Sequence, residues 1–344
     1  MLSCLASRTL SGMRAVMIDQ FGGPEVLHYT EVADLSPGPG EVLVAVHAAG
    51  VNRADLLQRE GRYPPPPGAP QWPGLEISGV ISEVGAAVRG WHVGERVAAL
   101  LDGGGYADHA VVPASRLLRV PDGVGLVESA GLPEAVCTVW SNLVDMAHLQ
   151  PGDWVLVHGG SGGVGTVAIQ MAVSLGARVL VTAGTQERVD RCLALGAEAG
   201  FVHRTPPGTS FTEALPGLVR EATEGHGADI VLDVVGGAYL HANLQSLAVG
   251  GRLVVIAVQR GRRAEVDLGL LMNLRASVIG TTLRARPAQE KARIVEAVRA
   301  HVWPLLEDGR LHPVIDSVVE MSRAGEAHTL LDSGSVFGKV LLVP

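Results

Sequence analysis

Residues 154–175 read Trp-Val-Leu-Val-His, then Gly-Gly-Ser-Gly-Gly-Val-Gly, then an apolar segment from Thr166 to Leu175. A short apolar strand that empties into a glycine-rich turn and restarts as a helix is compatible with few folds. Gly160, Gly162 and Gly165 satisfy GxGxxG, with Ser161, Gly163 and Val164 between them. Glycine serves such a turn because the bend is tight, the backbone must approach a pyrophosphate, and the helix must pack close to the strand. The helix start then turns unpaired N–H groups toward phosphate charge. Alone, the motif also fits a glycine turn that binds nothing. The sequel raises it to a dinucleotide-binding reading: strand-like runs at 178–182, 199–202, 229–234, 252–257 and 276–281 alternate with helical stretches. That alternation describes a parallel sheet covered by helices, so the fold class is α/β with a doubly wound Rossmann sheet.

The end of the second strand selects the dinucleotide. An acid about twenty residues beyond the glycines would hold the ribose hydroxyls and repel a 2′-phosphate. Gly184 and Thr185 stand in its place, and Arg188 follows one helical turn later, a source of charge-assisted bonds to phosphate. NADPH is favoured; the alternative is a solvated Arg188 with Glu187 on the ribose of NADH.

The rest of the 344 residues needs a second core. From Met13 to Glu134 short β-rich runs are broken by Gly and Pro, and the proline run from Tyr63 to Gly68 reads as a stiff surface loop. After the parallel sheet come a helical stretch at 289–306 and strand-like runs at 314–319 and 339–343, too little to stand alone. The expected division is an extension over 1–12, one domain from 13–134 with 284–344, and a dinucleotide-binding domain over 135–283. The extension lacks a secretory apolar core, and a disordered tail or upstream start fits it better than an organellar presequence. No apolar run is long enough to span a membrane. A net charge of −8 offers nothing to a phosphate backbone, which argues against nucleic acid as a partner. Cys4, Cys137 and Cys192 have no paired spacing, which fits a reducing, cytoplasmic setting.

A dinucleotide half behind a β-rich half resembles the medium-chain dehydrogenase/reductase superfamily. Its zinc enzymes carry a cysteine and a histidine where this chain has Asn52 and Leu75, and the four-cysteine lobe is missing, so no metal is expected. The string Asn52-Arg-Ala-Asp-Leu-Leu-Gln-Arg-Glu-Gly-Arg-Tyr63-Pro-Pro-Pro-Pro-Gly-Ala69 is similar to the zinc-free, zeta-crystallin-like quinone oxidoreductases, above all their tumour-suppressor-inducible NADPH:quinone oxidoreductase subgroup. Phe21–Glu25, Leu132–Glu134, Val181–Gly184, Gly196–Phe201 and Gly338-Lys339 extend the similarity.

The resemblance implies a GroES-like first domain, NADPH as cofactor, a quinone in the interdomain cleft and a homodimer. It implies Asn52 and Tyr63 as catalytic residues. Asn52 and Thr138 would also lie at the nicotinamide, with Gly184, Thr185, Arg188, His203 and Lys339 at the rest of the cofactor. His203 replaces a tyrosine of the relatives and is either a hydrogen-bond donor or an exposed loop histidine. Tyr63 either donates to a quinone oxygen or packs the proline loop. Leu56, where some relatives have tyrosine, alters the pocket wall. Arg260, Arg262 and Arg263 read as a solvated loop, and Cys137 as a packed thiol. The competing functions are reduction of an activated C=C bond of an enone or enoyl substrate, and a non-catalytic NADPH-binding or structural protein.

Overall fold

A computed structural model describes residues 12–204 and 208–344. The extension expected over 1–12 lies outside the described residues except for Gly12. Two large sheets organise the chain. One has six parallel strands, Trp154–His158, Arg178–Ala183, Ala199–Val202, Ala228–Asp233, Leu247–Val255 and Ser277–Gly280. Numbered along the chain, they lie side by side in the order 3-2-1-4-5-6, so the order reverses beside the first strand and opens a crevice at its carboxyl end. Trp154–His158 is buried at every position, as a continuous apolar run between two helical layers must be. The helix expected from Thr166 begins at Gly163 and ends at Ser174, because the last glycines of the turn already carry helical backbone.

The other sheet has seven strands. Ile315–Glu320, Lys339–Val343, Glu41–Val51, Glu76–Val84, Arg96–Leu100 and Leu117–Arg119 lie in that order, and His109–Pro113 adds to Glu41–Val51. Val340 to Leu342 pair antiparallel with Val51 to Ala49, which returns the end of the chain to its beginning. The single helix expected at 289–306 is two, Ala288–His301 and Trp303–Glu307, with the break at Val302 just before Pro304.

The helix Pro133–Val139 lies between the sheets. Its Val136, Cys137 and Val139 share one apolar core with Leu100 and Leu118 of the seven-stranded sheet, Val155 and Val157 of the six-stranded one, and Ile294 and Val298. The side chains at its amino end are therefore held in the crevice by packing from both sides. At the far edge, Ser277–Gly280 has one strand neighbour, and the helix Leu268–Leu274 beside it buries none of its residues. Leu268 is 64% exposed and Met272 76%. Among the described residues no helix is long and apolar enough to cross a membrane.

Candidate active site

The glycines of the turn answer to different constraints: backbone conformation at Gly159, packing at Gly160 and Gly165, and the Lys339 stem at Gly163. Gly159, not Gly160, carries the left-handed backbone of the bend, at φ +68°. A Cβ at Gly160 would stand 2.9 Å from Val181 Cβ, and one at Gly165 would stand 2.3 Å from Gly159 O. At Gly163 it would meet Lys339 Cδ at 2.2 Å. At Gly162 the nearest atom would be Gly159 O, 3.5 Å away, so nothing among the described residues requires a glycine there. Its open side is the space that a pyrophosphate needs over the start of the helix Gly163–Ser174. The floor is braced by hydrogen bonds. Gly159 N–H donates to Thr182 Oγ1 at 3.3 Å, and Thr182 Oγ1 pairs with His158 Nδ1 at 3.1 Å. His158 Nε2 lies 2.7 Å from Asn243 Oδ1, and burial pushes the histidine down to about 4, so it stays neutral and donates there. Ser161 is held through its carbonyl, which accepts from Gly338 N–H at 2.8 Å. Val164 packs into the shared core.

Next to the turn lies a concentration of positive charge. Thr185 caps the helix Gln186–Ala194 by accepting from Arg188 N–H at 3.4 Å. A Cβ at the buried Gly184 would stand 3.4 Å from Arg204 Nε and 3.6 Å from Arg188 Nη1. His203 lies against Phe211, ring centroids 6.3 Å apart, and its backbone N–H donates to Ala183 O. Burial, and then Arg204, Arg260 and Arg188, hold its imidazole below the ordinary range. Three arginines therefore share this corner, where the sequence pointed to Arg188 alone and read Arg260 as solvated. Arg188 Nη1 donates to Gly334 O at 2.6 Å, which aims the rest of the guanidinium.

The opposite wall is a buried polar cluster. Asn52 precedes the helix Arg53–Arg59; its N–H donates to Asp55 Oδ2 at 2.8 Å and its Nδ2 to Glu76 Oε1 at 2.8 Å. Lys339 Nζ donates to Asn52 Oδ1 at 2.7 Å and to Glu76 Oε1 at 2.5 Å. The other Glu76 oxygen accepts from Glu134 N–H at 2.9 Å, and Glu134 Oε1 accepts from Thr138 Oγ1 at 3.1 Å, one helical turn on. Asp55 also accepts from Gly74 N–H and from Tyr106 Oη, each at 3.1 Å. Burial pushes Asp55 up to about 6 and Glu134 up to about 7. Behind Tyr106, His328 Nε2 lies 3.3 Å from the phenol oxygen, and Arg59 Nη1 lies 3.5 Å from Nδ1. With burial holding His328 at about 3, the ring is neutral, accepts at Nδ1 and donates at Nε2.

Tyr63 stands half-buried at the start of the proline loop. Arg284 lies over its ring at 5.5 Å, and the guanidinium also donates to Gln58 Oε1 at 2.8 Å and Asp102 O at 2.7 Å. Burial raises the Tyr63 phenol above its ordinary range. A cavity of about 10 Å³ lies among Leu75, Leu283, Arg284, Lys291 and Glu134, space for about one water.

Residues 38–122 match the alcohol dehydrogenase GroES-like domain and residues 163–299 the zinc-binding dehydrogenase family. Human quinone oxidoreductase is 33% identical over 336 residues, 96% of this chain and 98% of that protein. The chain belongs to the quinone oxidoreductase branch of the medium-chain dehydrogenase/reductase superfamily. A mycobacterial quinone oxidoreductase superposes with a TM-score of 0.83 at 29% identity, over 97% of this chain and 100% of that one. A mycobacterial protein complexed with NADPH superposes with a TM-score of 0.83 at 30% identity, over the same shares.

In this member of the quinone oxidoreductase branch, the zinc-binding family match meets a donor set that does not fit zinc. Neither the Asn52 amide nor the Leu75 side chain is a zinc ligand, and the Lys339 ammonium is lodged between Asn52 and Glu76. Among the described residues no group of three or more His, Cys, Asp or Glu side chains is placed to hold a metal ion. Three other placements differ from the sequence reading. Both ends of the Asn52 amide are occupied within the chain, so Asn52 positions Lys339 and has no free donor for a substrate. Lys339 passes its stem over Gly163 but delivers its ammonium to the polar cluster. Glu76 and Glu134, unassigned from sequence, are central. The sequence signals for them were slight: Glu76 follows Leu75, where the zinc enzymes carry a histidine, and Glu134 ends Leu132–Glu134, a stretch shared with the quinone oxidoreductases. Cys137 is a buried free thiol, raised well above its ordinary range by burial.

Proposed function

We propose that this protein is a zinc-independent oxidoreductase that uses NADPH to reduce quinones in the crevice between the two sheets. The observation that carries the reading is the open side of Gly162 beside three arginines, facing a polar cluster in which an ammonium, Lys339, stands among carboxyl groups. Bound NADPH would supply the electrons and one hydrogen. The residues of the chain position and enclose. Gly160 to Gly165 with Ser161 and Val164 cradle the pyrophosphate, Gly184, Thr185, Arg188, Arg204 and His203 face the adenosine phosphate, and Thr138 borders the nicotinamide. Tyr63, protonated at neutral pH, lines the acceptor side and keeps water out. Lys339 offsets the buried Glu76 charge and ties Asn52 to it.

The test is consumption of NADPH and of NADH by chelator-dialysed enzyme over ortho-quinones, para-quinones, enones and 2-enoyl thioesters. The expected result is NADPH consumption with quinones, untouched by chelation and much slower with NADH. Turnover of enoyl thioesters alone would replace this reading with reduction of an activated C=C bond. NADPH binding without oxidation across the panel would leave a non-catalytic NADPH-binding protein.

The same proposal includes a homodimer through Ser277–Gly280, since an unpaired edge flanked by exposed Leu268, Met272 and Val278 invites a second copy. Light scattering on Met272→Asp should show a smaller mass than wild type. Two free buried cysteines, Cys137 and Cys192, accord with a cytoplasmic setting.

A further inference from the structure

We propose that Glu134 is the proton donor of this site, delivering its carboxyl proton to the oxygen of the reduced acceptor. The inference rests on the quinone reading above and on geometry which that reading does not use. Glu134 stands at the amino end of Pro133–Val139, on the same face as Thr138 and one turn before it, so it looks where Thr138 looks. It lines the cavity shared by Leu75, Leu283 and Arg284, and retains partial solvent contact although protein surrounds it. Oε1 is fixed by Thr138, while Oε2 has no protein hydrogen bond among those found in the described residues.

Burial, aided by the neighbouring carboxyls Glu76 and Asp55, keeps a proton on it against the pull of Lys339. Four elements bring ionisable groups to Glu134: Glu76 from its strand, Lys339 from the last strand, Asp55 from Arg53–Arg59, and Cys137 from its own helix. Tyr63 faces it from the proline loop, and Arg284 and Lys291 border the same cavity. Of the three cations, Lys339 is bonded to Glu76, and Lys291 and Arg284 are bonded to the side chain and the carbonyl of Asp102, respectively. Arg284 acts on Asp55, so Glu76 and Glu134 are left to the one Lys339 ammonium, which is bonded to Glu76; burial holds Glu134 at about 7, matched to proton transfer at neutral pH.

The balance is complete. The acceptor gains a hydride from NADPH and becomes an oxyanion. The Glu134 O–H bond breaks as the O–H bond of the hydroquinone forms, and a proton drawn from bulk solvent through the cavity reloads the carboxylate. NADP⁺ and hydroquinone leave.

The experiment is the pH profile of para-quinone reduction by wild type, Glu134→Gln and Thr138→Val, with NADPH affinity read by fluorescence and the Glu134 carboxyl by difference infrared spectroscopy. Wild-type kcat/KM should fall above about pH 7, as the acid is lost, and a protonated-carboxyl band should vanish over the same range. Glu134→Gln should lower kcat by about a hundredfold with unchanged NADPH affinity, and should lack both inflection and band. Thr138→Val removes a bond that favours the carboxylate, so the inflection should move to higher pH. Should Glu134→Gln fail to fold, the wild-type band and the Thr138→Val shift decide the case. A Glu134→Gln enzyme with wild-type kcat and profile, or a band that does not titrate near neutrality, overturns the proposal while quinone reduction stands. A wild type inactive on every quinone overturns the quinone reading, and the proposal with it.

Discussion

The two walls of the crevice are built on opposite principles. The cofactor wall is local: Gly159 to Gly165, with Thr182 and His158 beneath, is one strand, one turn and one helix start whose contacts follow from neighbouring strands. The opposite wall is assembled from afar, since Asn52 meets Glu76 across 24 residues and Lys339 across 287. In the first, steric necessity fixes the residue type. In the second, the partner does, and any member is intelligible only with the others in view. A local wall should therefore fail abruptly to one added atom, whereas a distributed wall should fail when its charge count is broken and recover when the count is restored.

The largest effect should come from Gly165→Ala. Its Cβ would stand 2.3 Å from Gly159 O, a backbone atom without freedom to move, so NADPH affinity should fall by at least about a hundredfold, measured by fluorescence titration. Lys339→Met comes next. It leaves the buried Glu76 unpaired, and denaturant unfolding should show a loss of about 3–5 kcal/mol. Adding Glu76→Gln should recover much of that loss; no recovery would break the account of a charge-balanced wall.

A third test uses pH. Glu134 is raised in the folded chain to about 7 from 4.5, so the stability it confers is complete below the lower value and is lost as pH rises through the upper one. Glu134→Gln abolishes that dependence. Relative to wild type, the variant should lose on the order of 2 kcal/mol on going from about pH 7 to pH 5, read by urea melts. His158 works the other way on the cofactor wall: held at about 4, it takes up no proton while the unfolded chain does, so its share of stability is lost as pH falls below the ordinary imidazole range. The smallest effect belongs to Arg188→Ala. Arg204 and Arg260 remain, so KM for NADPH should rise by only about tenfold, with KM for NADH unmoved.

Legibility followed the same division. Trp154–His158, Ala199–Val202 and Lys339–Val343 have the bounds expected from the sequence, and for the first the reason is that a buried parallel strand is written as a continuous apolar run. The helix break at Val302 was missed although Pro304 stands in plain sight, since helical periodicity continues on both sides of it. At the site, the glycines were legible because their chemistry is sequential, although the bend sits at Gly159 and not at the first glycine of the motif. Arg204 and Arg260 join Arg188 around His203 only in the folded chain, since they follow separate strands of the sheet. The partners of Asn52 were not legible, because Glu76 and Lys339 lie far from it in the sequence.

One small contact links the two walls. Gly338, at φ +96°, forms a bridge with Gly162 and donates its N–H to Ser161 O, which fastens the last strand to the phosphate turn at a single point. The next residue, Lys339, carries its stem over Gly163 and its ammonium to Glu76, so two adjacent residues touch both walls. A slip of the last strand by one residue would disturb the phosphate turn and the polar cluster together.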